Sequence, residues 1–282
     1  MTRVARVAAA TLTLLIVASV LGPMLTRGRP ESIGDVLAGR FVPPFAFDAR
    51  GVFHPLGTDS LGRDLLARML LAGRISLGVG VLGSLLAGAW GLCVGALAGW
   101  RGGWVDRALM AVCDALLAIP RLVLLLLCAA LWKPGLGTVV IVLAATGWMA
   151  IARLTRAEVI TARSRPYVDA ARALGARSAR TLWRHVIPNA IGPALAATTL
   201  GVGSAIMLES GLSFLGLGVQ PPTPSWGNMI AAGRDVIVTA PWVALVPGLA
   251  LIATTVAATL LGDWLRDRLA GERDTRVSAR GS

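Results

Sequence analysis

Six stretches of apolar sequence, each about as long as a bilayer is thick, constrain this chain more than any other feature. A hydrocarbon core of roughly 30 Å needs about 20 apolar residues at 1.5 Å each. The sequence supplies such runs at Val7–Leu25, Ile75–Trp100, Leu109–Leu131, Thr138–Ala152, Ala190–Leu212 and Trp242–Leu261. The fourth is short and is expected to extend into neighbouring residues. The runs are continuous rather than alternating, which argues against a transmembrane β-barrel. With 55% hydrophobic residues, 15% charged residues and a mean hydropathy of +0.71, neither a disordered chain nor an ordinary soluble domain fits. The expected fold class is all-α, a polytopic membrane protein with six transmembrane helices.

Net charge is +12, and 26 of the 27 basic residues are Arg, the exception being Lys133. The basic segments lack interleaved aromatics, which argues against nucleic acid. Basic loops beside anionic lipid headgroups account for the charge. Cys93, Cys113 and Cys128 all lie within apolar runs without Cys-x-x-Cys spacing, so they read as small hydrophobes rather than disulfide or metal sites. The first run follows Arg3 and Arg6, but no A-x-A site follows it and Pro23 sits where cleavage would fall, so it reads as a retained anchor.

Arg distribution sets the expected orientation. The segment after the fourth run carries Arg153, Arg156, Arg163, Arg165, Arg172, Arg177, Arg180 and Arg184 against Glu158 and Asp169. The segments after the third and fifth runs carry only Lys133 and Arg234 as basic residues. The positive-inside rule then puts both termini, residues 101–108 and residues 153–189 in the cytoplasm. Residues 26–74 hold seven Arg and five acids, but long segments cross largely regardless of charge. The expected organisation is residues 1–25 as tail and first helix, 26–74 external, and 75–265 as a five-helix core. Residues 213–241 would form an external loop and 266–282 a cytoplasmic tail.

Residues 153–189 are far longer than a passive connection needs. Residues 167–174 (YVDAARAL) read as a short helix stopped by Gly175, and Ser178 is placed to cap a second helix ending before Pro188. Val168, Ala171 and Leu174 share one side of the first helix, and Leu182, Val186 and Trp183 one side of the second. Small Ala170 and Ala171 permit close approach. The pattern fits either docking of a cytoplasmic partner or an amphipathic element lying on lipid.

The stretch Asp169 to Pro188 resembles the EAA loop of ABC-importer permeases. Asp169-Ala170-Ala171 is followed after three residues by Gly175, and nine residues later by His185-Val186-Ile187-Pro188. Asp169 replaces Glu, His185 replaces Ile and Ile187 replaces Leu. His54–Arg68, Leu212–Ile230 and Gly262–Asp267 resemble, in order, further blocks of the dipeptide/oligopeptide/nickel class, and look most like its C-type permease. The resemblance implies the type I importer fold and a heterodimer with a homologous permease. It also implies one or two cytoplasmic ATPases docked through the loop residues Asp169, Ala170, Ala171, Leu174, Gly175, His185 and Pro188, and an external substrate-binding protein. ATP and Mg would belong to the partner ATPases. No cofactor or catalytic residue is expected in this chain, which lacks a G-x-x-x-x-G-K-[ST] phosphate loop. Peptides lead as substrate, with nickel or another small solute as the alternative. A stand-alone secondary transporter is the rival from a different class.

Charges within apolar runs are expensive, roughly 2.5–3.5 kcal/mol each at the centre of a span on insertion scales. Asp114, Arg121 and Glu209 are the three that stand out. Asp114 and Arg121, seven apart, are expected on one helix face. They either line a pathway, where Arg121 would attract a substrate carboxylate, or pair with each other, with Glu209 or with a partner. Gly216–Val219 with Pro221, Pro222 and Pro224 predicts a tight external turn, with Trp226 at the membrane interface. His54 and His185 are expected to stand alone, without metal or nucleophile partners, His54 in an ordered external turn with Pro55.

Overall fold

The computed structural model describes residues 3–25 and 36–278. Residues 26–35 of the external segment and 279–282 of the tail lie outside it. Helix α1 covers Arg3–Leu25, with Pro23 accommodated near its end. A short helix α2 (Val36–Gly39) leads to a two-stranded antiparallel hairpin, β1 (Ala46–Phe47) with β2 (Phe53–His54). Then follow α3 (Leu65–Arg101), α4 (Gly103–Leu117), α5 (Arg121–Ala130) and α6 (Leu136–Arg163). Beyond them come α7 (Pro166–Ala173), α8 (Ser178–Thr181), α9 (Ile187–Phe214), α10 (Trp226–Arg234) and α11 (Trp242–Ser278). Among the described residues, five continuous helices are long and apolar enough to cross a membrane, and α4 with α5 makes a sixth when counted as one broken span.

Four observed elements differ from the expected spans. The third run is two helices bent by 91°. Pro120 lacks an N–H and its ring cannot follow Leu116 in a helix, so α4 closes with Ala118 N–H donating to Asp114 O and α5 starts afresh. Asp114 and Arg121 therefore do not share a helix face. The fourth run gains its length downstream: α6 continues through Arg163, so residues 153–163 are helix rather than connection. The fifth span does not begin after Pro188 either. A five-residue π-helical turn at Leu182–Val186 joins α8 to α9, giving one apolar helix from Ser178 to Phe214. The widened turn directly precedes Pro188, whose ring would otherwise press on the carbonyl four residues back. The external loop is also not all turn, since it contains α10.

The chain packs as two units, one from Met1–Leu82, Leu126–Ile141 and Val202–Leu260, the other from Gly83–Leu125, Val142–Gly201 and Leu261–Ser282. In the first, Leu65, Ala72, Leu77, Ile206, Trp226 and Met229 form the core. In the second, Cys113, Trp148, Met149 and Ala152 form one cluster, and Ala96, Val159, Ala162, Val168, Val186, Ile187 and Ala190 another. All three cysteines are free; Cys113 is buried as expected of a small hydrophobe, whereas Cys93 is exposed.

Within the second unit, α3 meets α6 through Gly91, Gly95 and Gly99. A Cβ on Gly91 would lie 2.7 Å from Trp148 O, and one on Gly99 2.8 Å from Arg156 O; one on Gly95 would strike Ala152 O. Each of these nearest contacts is with backbone, and the two series share a four-residue spacing. This is the small-xxx-small packing by which membrane helices approach closely where no water drives association.

Candidate functional site

The connection between α6 and α8 is a short helix closed by a glycine turn. Helix α7 begins at Pro166, whose fixed φ suits a first helical turn, and ends in a Schellman arrangement: Ala176 N–H donates to Ala171 O, with Gly175 at φ +80°. Val168 is fully buried and packs with Val186, Val159 and Ala96, so one side of α7 is fixed to the second unit. Leu174 does not share that side in the fold. It is 89% exposed, a bare apolar knob just before the glycine turn. Asp169, Ala170, Gly175, Trp183 and Pro188 are exposed with it, and Ala171 and His185 are half-buried.

Ser178 does not cap α8. It is the first helical residue, after the N-cap Arg177, and its hydroxyl accepts a hydrogen bond from Trp100 Nε1 at 2.9 Å. Arg163 donates to Trp100 O at 2.9 Å and lies over the Trp100 ring, and Arg156 forks onto Asp106, with Nη2–Oδ2 at 2.6 Å. The connection is thus tied to the end of α3 through Ser178, and α6 is tied to α3 through Arg163 and to α4 through Arg156. The sequence pattern contained these residues, but nothing in it showed the pairing.

Asp114, Arg121 and Glu209 do not form one group. Asp114 pairs with Arg153 at 3.4 Å, both about 60% exposed. The Arg121 guanidinium rests over Gly147, where a Cβ would lie 3.3 Å from Nη2, and no carboxylate among the described residues pairs with it.

Glu209 is fully buried in the first unit. Its Oε1 accepts from Ser213 at 2.7 Å, and its Oε2 from Ser76 at 2.9 Å and Ser210 at 3.3 Å. The Ser213 hydroxyl accepts from Val219 N–H, and the Ser76 hydroxyl from Trp226 N–H. Each of these hydroxyls therefore has its own proton free for the carboxylate, and one side chain fastens the segment after α9 and the start of α10 to α3 and α9. Ser225 and Asn228 close a capping box at that start, and Asn228 holds the carbonyls of Val219 and Thr223. Trp226 is not an interface anchor. It is 1% exposed and donates to Met69 O at 3.3 Å.

Residues 36–64 are more ordered than a turn. His54 is buried, with Nδ1 2.7 Å from Asp64 Oδ2 and Nε2 3.6 Å from Asp48 Oδ2. A carboxylate only accepts, so Nδ1 carries the proton. The N–H groups of Val52 and then Arg50 hold the Asp48 carboxyl below its ordinary pKa. Buried Asp59 takes Arg63 Nε at 2.7 Å and has Arg68 Nε at 3.4 Å. Among the described residues, no group of three or more His, Cys, Asp or Glu is placed to hold a metal.

Residues 91–271 match the family described as binding-protein-dependent transport system inner membrane component. A peptide transport system permease protein of Brucella suis is 38% identical over 276 residues, covering 98% of this chain and 89% of that protein. The di/tripeptide transport system permease protein of Pseudomonas aeruginosa is 39% identical, covering 91% and 84%. The glutathione transport system permease protein of Pectobacterium atrosepticum is 40% identical, covering 77% and 72%. Among solved structures, an amino acid ABC transporter shares the fold, with a TM-score of 0.53 at 19% identity, over 69% of this chain and 91% of that one. The apolar helices, the loop built on Gly175 and the family match over residues 91–271 agree: the chain belongs to the inner membrane components of binding-protein-dependent transport systems.

Proposed function

We propose that this chain is the C-type half of a heterodimeric permease that imports peptides. It works with a homologous permease, one or two cytoplasmic ABC ATPases and an external binding protein that delivers substrate. Both termini and the α7–α8 loop face the cytoplasm. ATP and Mg belong to the ATPases, and this chain has no catalytic site. Peptide as cargo rests on the names of relatives that cover nearly the whole chain.

The observation that carries the coupling is Leu174. An 89% exposed leucine on a rigidly braced, basic, extramembrane element is costly to leave in water and suits a pocket on a partner. When ATP binding draws the ATPases together, α7 moves with them. Its ties to Trp100 and the packed side of Val168 pass that displacement to α3 and α6. Hydrolysis releases it.

Leu174→Asp should leave the fold intact, within about 0.5 kcal/mol, because the site is exposed. It should lower the ATPase recovered with the affinity-purified permease about tenfold or more. Wild-type protein that purifies without a second permease or an ATPase would instead support a stand-alone secondary transporter.

Arg121, at the broken span, is proposed to meet the substrate carboxylate. Arg121→Gln should reduce uptake of peptides several-fold more than uptake of C-terminally amidated ones. Equal uptake of both would remove it from the pathway, and nickel-dependent uptake would move the cargo to a metal.

A further inference from the structure

The hairpin before α3 presents an exposed aromatic cluster, which no described residue covers. Phe45 is 76% exposed, Phe47 67%, Val52 51% and Phe53 45%. Phe47 and Phe53 face each other across the strands with ring centroids 5.3 Å apart. Phe45 is held at φ 59°, a left-handed conformation that bulky residues rarely adopt. The frame beneath is stiff. His54 Nδ1 donates to Asp64, Thr58 Oγ1 accepts from Val42 N–H and donates to Gly39 O, and Trp242 Nε1 donates to Thr58 O. Thus a small apolar surface is fixed in position rather than tucked away.

Its height decides what it can meet. The long apolar run of α3 ends at Arg74, which is exposed and marks the outer headgroup layer in the orientation proposed above. Helix α3 continues outward to Leu65, nine residues or about 14 Å farther. A headgroup layer is only about 5–8 Å thick, so the hairpin stands in the water beyond it. A partner permease would be expected to bury the apolar faces of the spans. Four side chains on a raised hairpin suit a transient partner from the aqueous side. Arg50, exposed in the turn of the same hairpin, puts a positive charge beside the cluster.

We propose that Phe45, Phe47 and Phe53 form a landing site for the soluble substrate-delivering protein, which presents an apolar pocket with a carboxylate beside it. The proposal rests on the importer reading and the orientation given with it.

The test uses the assembled importer in nanodiscs with its own binding protein. Phe45→Gly combined with Phe47→Ser should weaken binding-protein affinity about tenfold or more, while the same subunits copurify and thermal stability holds, since Gly suits φ 59° at position 45. A photoreactive phenylalanine at position 47 should give an adduct with the binding protein. Affinity unchanged within about twofold, or an adduct with the partner permease or with lipid, overturns the proposal. Loss of the ATPases or of the second permease from wild-type protein overturns the importer reading instead.

Discussion

Gly95→Leu should abolish recovery of folded protein, or lower stability by at least about 3 kcal/mol, read as the loss of a monodisperse peak and of the melting transition in detergent. A Cβ at Gly95 meets Ala152 O, and also Thr155 Cβ at 2.7 Å and Ala152 C at 3.1 Å. Neither a carbonyl nor a Cβ can rotate aside, so α3 and α6 must separate. The packing of Gly91 against Trp148 and of Gly99 against Arg156 would open with them. Gly78 lies on the same helix with nothing within 4 Å of its added Cβ. Gly78→Ala should be neutral or stabilising by about 0.5–1 kcal/mol, the ordinary gain of replacing a helical glycine. Equal melting of Gly95→Leu and Gly78→Leu would show that the glycine series does not set the helix spacing. Gly95→Ala tests coupling as well. A milder separation that leaves the protein folded should still lower ATP-driven uptake, because the α7 loop hangs from the ends of these two helices at Trp100 and Arg163.

The second large effect is expected at Glu209. Both carboxylate oxygens receive hydroxyl protons whose direction is already fixed, since Ser76 and Ser213 accept the backbone N–H groups of Trp226 and Val219. Glu209→Gln keeps the shape but points an amide donor at one of those hydroxyls. One buried hydrogen bond is lost and two donors face each other, which should destabilise by about 1–3 kcal/mol. Glu209→Ala leaves both hydroxyls without an acceptor and should cost more. A double-mutant cycle of Glu209→Gln with Ser213→Ala should show coupling of about 0.5 kcal/mol or more, because removing either partner spoils the same bond. Strict additivity would show that the serines act independently of the carboxylate. Uptake should fall together with protection of the 215–225 backbone from hydrogen exchange, the loop this residue fastens.

The six apolar runs, the Arg asymmetry and the Asp169–Pro188 spacing were legible in one dimension because each is a local property. A bilayer imposes a length, translocation imposes a charge bias, and a glycine-stopped helix imposes its own turn. The Gly175 turn appears where the sequence places it. The Gly91, Gly95 and Gly99 series was equally present in the sequence as a four-residue repeat, and its role follows from the same membrane physics.

What only the tertiary structure decided concerns partners distant in sequence. Leu174 and Val168 look alike on a helical wheel, yet the π turn and the end of α7 bury one and expose the other. Ser178 has the chemistry of a cap but gives its oxygen to Trp100, 78 residues away. Asp114 and Arg121 share a face only if the helix is straight, and the 91° break at Pro120 separates them. Glu209 reads as a stray membrane charge until Ser76, 133 residues away, is brought beside it. Apolar length and charge bias act through the surrounding solvent and so are written residue by residue. A hydrogen bond across the fold depends on which backbones come within about 3 Å, and only packing sets that distance.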